Sequence, residues 1–102
     1  MMKIKAVMQE SAVSVKVLIT HPMETGRGKD QAGAIIPAHY ITELTATCKG
    51  EPVFRAELGP GVSKDPFIAF QFTGAKVGDS VKISWVDNKG GTETMESAIT
   101  AM

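Results

Sequence analysis

The chain has 102 residues, 43% of them apolar and 22% charged, and its eleven basic and eleven acidic side chains give a formal net charge of zero. That length suits a single domain with one hydrophobic core, and the composition excludes intrinsic disorder. Neutrality removes the electrostatic basis for binding nucleic acid or anionic membrane, and one cysteine, Cys48, excludes an internal disulfide framework.

In chain order the dominant signal is period two, the period of a β-strand. Ile4, Ala6 and Met8 alternate with Lys3, Lys5 and Val7. Val13, Val15, Val17 and Ile19 then alternate with Ser14, Lys16, Leu18 and Thr20. A third strand, about residues 39–49, sends Tyr40, Leu44, Ala46 and Cys48 to one face and His39, Glu43, Thr45 and Thr47 to the other. Ile41 breaks that pattern. Phe54, Ala56 and Leu58 mark a fourth strand, and Ile68, Phe70 and Phe72 a fifth. Val81, Ile83 and Trp85 mark a sixth, and Met95 with Ile99 a seventh.

The punctuation between them agrees. Lys49-Gly50-Glu51-Pro52 reads as a hairpin turn, and "LGPGVSKDP" holds two glycines and two prolines that no strand interior would contain. "DNKGG" joins the sixth and seventh strands with residues that take positive φ readily. No stretch shows helical periodicity. The expected fold is therefore all-β: an immunoglobulin-like antiparallel β-sandwich of about seven strands, one domain over residues 1–102.

The connection from His21 to Pro37 is the outlier. At roughly seventeen residues it is several times the usual hairpin loop, and loops of that length commonly carry function. It is polar and glycine-rich early (Gly26, Gly28, Gly33) and apolar late (Ala34, Ile35, Ile36). Its His21, Met23 and Glu24, with His39 and Cys48, contain the atoms a copper or zinc site would need. A blue-copper site, however, needs a histidine after its cysteine, and none follows Cys48. The inward parity of Cys48 points to a core thiol, and His21 reads as a turn or capping residue at a strand end. "GRGKD" lacks the spacing of a phosphate-binding loop, and no nucleophile elbow or Cys–His signature is present. Glu93, Glu96, Asp79 and Asp87 read as loop and strand-surface charges. Trp85 shares the inward parity of Val81 and Ile83 and reads as a core plug. Phe67, Val53 and Val86 read as apolar residues on a sheet face that something covers.

Four segments together resemble a known family: "ITHPMETG" after the second strand, "IIPAHYI" opening the third, "EPVFRAELGPGVSKDPFIAFQF", and "ISWVDNKGG". In this order, over nearly the whole chain, they resemble the Z subunits of the SoxYZ carrier of bacterial thiosulfate oxidation. The resemblance implies a periplasmic protein without catalytic activity, paired as a heterodimer with a SoxY-type subunit. In that family the Y partner bears the sulfur intermediate on a cysteine in a glycine-rich C-terminal arm, and other sulfur-oxidation enzymes dock to process it. It also implies export together with a signal-bearing partner, which fits an N-terminus (Met1–Lys5) without an apolar h-region. No catalytic residue, metal or cofactor is expected. The candidate partner-binding residues are His21, Met23, Glu24, Ile35, Ile36, His39 and Phe67, and self-association is the expectation when the partner is absent. Two other readings stay open: a small cupredoxin-like metal-binding domain using His21, Met23 and His39, and a generic β-sandwich binding module.

Overall fold

The computed structural model describes residues 1–101. Eight strands follow one another: β1 (Met2–Gln9), β2 (Ala12–Ile19), β3 (Ile41–Cys48), β4 (Glu51–Glu57), β5 (Phe67–Phe72), β6 (Ser80–Asp87), β7 (Thr92–Ala98) and β8 (Thr100–Ala101). They make two four-stranded sheets, ordered β5-β2-β1-β8 and β4-β3-β6-β7. The expected β-sandwich is what forms. Its last strand divides, with β8 crossing to the other sheet to pair in parallel with β1.

Period two does the sorting. Val13, Val15, Val17 and Ile19 of β2 and Val81, Ile83 and Trp85 of β6 all point inward and are buried. So are Leu44, Ala46 and Cys48 of β3, which confirms the core thiol; burial pushes the Cys48 thiol up, with Asp79 adding to the effect and Lys49 opposing it. The rim stacks Phe54 of β4 on Phe70 of β5, ring centroids 4.3 Å apart, closing one side of the sandwich. On the other side the N-terminal ammonium reaches Glu93 of β7 at 3.2 Å.

Three local expectations change. A β-bulge between Ile41 and Glu43 lets Ile41 and Leu44 both point inward, so Ile41 is fully buried. The turn after β3 is Lys49-Gly50 alone, both at positive φ (55° and 79°), the pair of angles a two-residue hairpin of primed type demands. Glu51 and Pro52 belong to β4, where a proline is tolerated because β4 is an edge strand and a second bulge falls beside it at Val53. Val53 packs against the core, whereas Phe67 and Val86 stand exposed.

β2 and β6 end, and β3 and β5 begin, at the same pole of the molecule. Gathered there are the 20–40 loop, the 58–66 loop and the 88–91 turn. The long loop folds back on itself as an irregular ribbon. Glu24 and His39 exchange two backbone hydrogen bonds (2.7 and 3.0 Å), and Lys29 bridges to Ile35 further out. Gly26 sits in the first bend at φ +86°, where an added Cβ would stand 3.2 Å from Ala38 Cβ. Asp30 Oδ1 accepts the amides of Ala32 and Ala34 and forms the tip.

Candidate functional site

The gathered pole is organised by one buried histidine. The backbone of His21 is clamped to the 58–66 loop: its N–H donates to Asp65 Oδ1 at 3.0 Å, and Asp65 N–H donates to its carbonyl at 3.0 Å. Its ring is 3% exposed, edge-on to Trp85 at 5.2 Å and to His39 at 4.6 Å. Nδ1 accepts the Met23 N–H at 3.1 Å, and Nε2 lies 3.1 Å from Asp87 Oδ2. An amide can only donate, so Nδ1 carries no proton. The ring proton therefore sits on Nε2 and is donated to Asp87. Met23, whose left-handed φ of 48° turns this amide inward, is itself buried, and its sulfur accepts the Ile41 N–H at 3.4 Å.

Asp87 is the counterpart. It ends β6 on the same inward parity as Trp85, and it is buried rather than the surface charge its sequence context suggested. Four donors saturate its carboxylate. Oδ2 accepts His21 Nε2 and His39 Nε2 (3.1 and 2.8 Å), and Oδ1 accepts the amides of Lys89 and Gly91 (3.0 and 2.7 Å). Burial alone would raise its pKa. The bonds from His21, His39, Gly91 and Lys89 outweigh that and hold the carboxyl well below the usual range, so it is an anion at neutral pH. Beside it Asn88 stitches the long loop to the turn, accepting the Tyr40 N–H (2.8 Å) and donating to the Ala38 carbonyl (2.9 Å).

His39 completes the cluster from the other strand of the ribbon. Bonded to an anion, its Nε2 must carry a proton, which in the neutral ring leaves the lone pair on Nδ1. Nδ1 has no hydrogen-bond partner among the described residues. No buried side-chain nitrogen or oxygen lacks a partner there, so Nδ1 opens to solvent on a side chain that is 30% exposed.

Ligand atoms of His21, His39 and Asp87 lie within 4.8 Å of one another, a donor set of the type that holds zinc or ferrous iron. The hydrogen bonds argue against that use. To ligate through Nε2, His21 must shift its proton to Nδ1, directly against the Met23 N–H. Titration of untagged protein with zinc or copper is therefore expected to give no stoichiometric complex. A one-to-one complex that perturbs both histidine rings would show that the Met23 amide gives way.

The other candidates divide by exposure. Glu24 and Ile36 are half-buried within the ribbon, while Ile35 and Phe67 are 65% and 61% exposed. Leu18 pairs with Phe67 across the sheet and is also exposed. His21 and Met23 are turned inward, so neither side chain is part of the surface. A cleft of about 320 Å³ separates Thr25 and Arg27 of the long loop from Pro60 and Gly61 of the 58–66 loop.

This architecture is shared with solved structures. The superoxide reductase (neelaredoxin) from Archaeoglobus fulgidus in the reduced form superposes with a TM-score of 0.66 at 22% identity, over 97% of this chain and 88% of that one. The superoxide reductase (neelaredoxin) from Ignicoccus hospitalis gives 0.62 at 19%, over 99% of this chain and 80% of that one. At such identities the likeness defines a fold class, the β-sandwich that superoxide reductases also use, and nothing of the chemistry. A comparison with curated protein sequences gave no match. The family model described as "Sulphur oxidation protein SoxZ" matches residues 2–98, and the chain belongs to that family. It is thus a component of a sulfur-oxidation system.

Proposed function

We propose that the chain is the non-catalytic subunit of a periplasmic sulfur-carrier heterodimer. It docks a SoxY-type subunit whose C-terminal cysteine arm bears the intermediate of thiosulfate oxidation. The observation that carries this reading is the family match over residues 2–98. The pole supports it in physical terms. Three segments are locked together by the His21–Asp87–His39 cluster, which gives a rigid platform, and the exposed Ile35, Phe67 and Leu18 supply apolar area around it. Rigid apolar anchors cost little ordering entropy on binding and contribute about 25 cal/mol per Å² removed from water.

The test is affinity for a SoxY-type subunit with a C-terminal cysteine arm, measured by calorimetry. Ile35→Asp and Phe67→Asp are each expected to weaken binding by roughly ten-fold or more, as central apolar anchors do, while leaving the melting transition unchanged because both side chains are exposed. Binding within two-fold of the unaltered chain for both variants would remove these residues from the interface. No binding by the unaltered chain would remove the carrier reading itself.

A further inference from the structure

Resting on that reading, we infer that His39 is a proton-accepting group for the partner's cysteine thiol, with Asp87 and His21 as the residues that position and polarise it. The support is the arrangement of hydrogen bonds. Asp87 Oδ2 fixes the His39 ring through Nε2 at 2.8 Å, and Nδ1, without a partner among the described residues and not fully buried, is left accessible to solvent. A buried carboxylate behind one imidazole nitrogen stabilises the imidazolium that forms when the other takes a proton. Here that carboxylate is already an anion held by four donors, and among the described residues no Lys or Arg side chain pairs with it.

His21 makes the arrangement directional. Its Nδ1 is closed by the Met23 amide and its Nε2 proton is committed to Asp87, so it offers no free lone pair. Of the two rings on Asp87, only His39 presents an unpartnered nitrogen among the described residues. The remaining charged groups near the ring are Glu24, paired to His39 through backbone, and Lys89, whose backbone N–H bonds Asp87; neither side chain forms a hydrogen bond or ion pair with His39. The step itself is a proton transfer. The S–H bond of the arriving cysteine breaks, the proton passes to His39 Nδ1, and the electron pair stays on sulfur as thiolate beside an imidazolium–carboxylate pair. Thiolate is the form in which cysteine acts as nucleophile, and a histidine neighbour favours it.

The test compares alkylation of the partner's cysteine by iodoacetamide, followed by mass spectrometry on the partner chain across pH 5.5–9. Cys48 of this chain, buried and with its thiol pushed up, is read separately. Addition of the unaltered chain is expected to accelerate alkylation at neutral pH several-fold, equivalent to lowering the thiol pKa by about one unit. Complexes of His39→Asn and His39→Gln, formed with saturating variant chain, are expected to leave the profile as it is for the partner alone. Equal profiles with and without the unaltered chain, in a complex that does form, overturn this role for His39 and leave the carrier reading standing. Acceleration that survives both His39 variants does the same. Absence of any complex overturns both.

Discussion

Asp87→Asn, an exchange of one oxygen for an NH₂, is expected to destabilise the fold by about 2–4 kcal/mol, far more than a typical strand-end substitution. The asparagine carbonyl can still accept the amides of Lys89 and Gly91, which turns its NH₂ toward two imidazole N–H groups. His39 can respond by moving its proton to the solvent-facing Nδ1. His21 cannot, because Nδ1 already receives the Met23 N–H, and a buried donor is left facing a donor. Against a total stability of roughly 5–15 kcal/mol the loss is large, and it corresponds to about 10–20 °C in melting temperature for a domain of this size. Urea titration of Asp87→Asn measures it; a change under about 0.5 kcal/mol would show the assigned His21 tautomer to be wrong. A double-mutant cycle should place most of the coupling between Asp87 and His21 rather than His39.

The same carboxylate sets the acid limit of the protein. Its folded pKa lies below the unfolded value of about 3.9, so its contribution is fully present above that value and is lost as pH falls toward the depressed folded one. Stability of the unaltered chain should therefore decline from about pH 5 downward, and Asp87→Asn should show a flatter curve over that interval.

The strands from β1 to β6 were legible in the sequence because each runs long enough for period two to declare a face, whereas the two-residue β8 is too short to show any period. The bulge at Ile41–Glu43 was visible only as a parity error at Ile41, since one inserted residue leaves no composition signal. The cluster was half legible. His21 and His39 stood out as the chain's two histidines, but their partner lies 66 and 48 residues away and reaches them only because β3 and β6 pair with Ile41 opposite Asp87. A signal for it did exist. Val81, Ile83, Trp85 and Asp87 keep one parity, which places a carboxylate on the inward face at a strand end, where a buried charge demands donors. Reading Asp87 through the turn it opens, rather than the strand it closes, concealed that. The inward turn of Met23 was not legible, because it depends on a left-handed backbone angle at a non-glycine residue.

Gly91→Ala is expected to cost about 2–3 kcal/mol although the backbone there is not in the left-handed region. An added Cβ would stand 2.7 Å from Asp87 Oδ2, 3.0 Å from Oδ1 and 3.1 Å from Cγ. A free carboxylate would swing aside at little cost; this one is buried and fixed by four hydrogen bonds, one of them the 2.7 Å bond from the Gly91 amide itself. Either that bond lengthens or the carboxylate retreats from the histidines, and both outcomes loosen the cluster. Gly90 is the internal comparison. It has φ +81° and open space around the missing Cβ, so Gly90→Ala strains only its own backbone, by about 1–2 kcal/mol. The two variants can thus resemble each other in a denaturation curve and still differ in cause. Histidine ¹⁵N shifts separate them: Gly91→Ala should move the His21 and His39 ring signals, and Gly90→Ala should leave both in place. Because Gly91→Ala and Asp87→Asn strike the same carboxylate, their combined cost should fall short of the sum. Full additivity would mean that alanine at 91 is accommodated by the turn and never reaches Asp87.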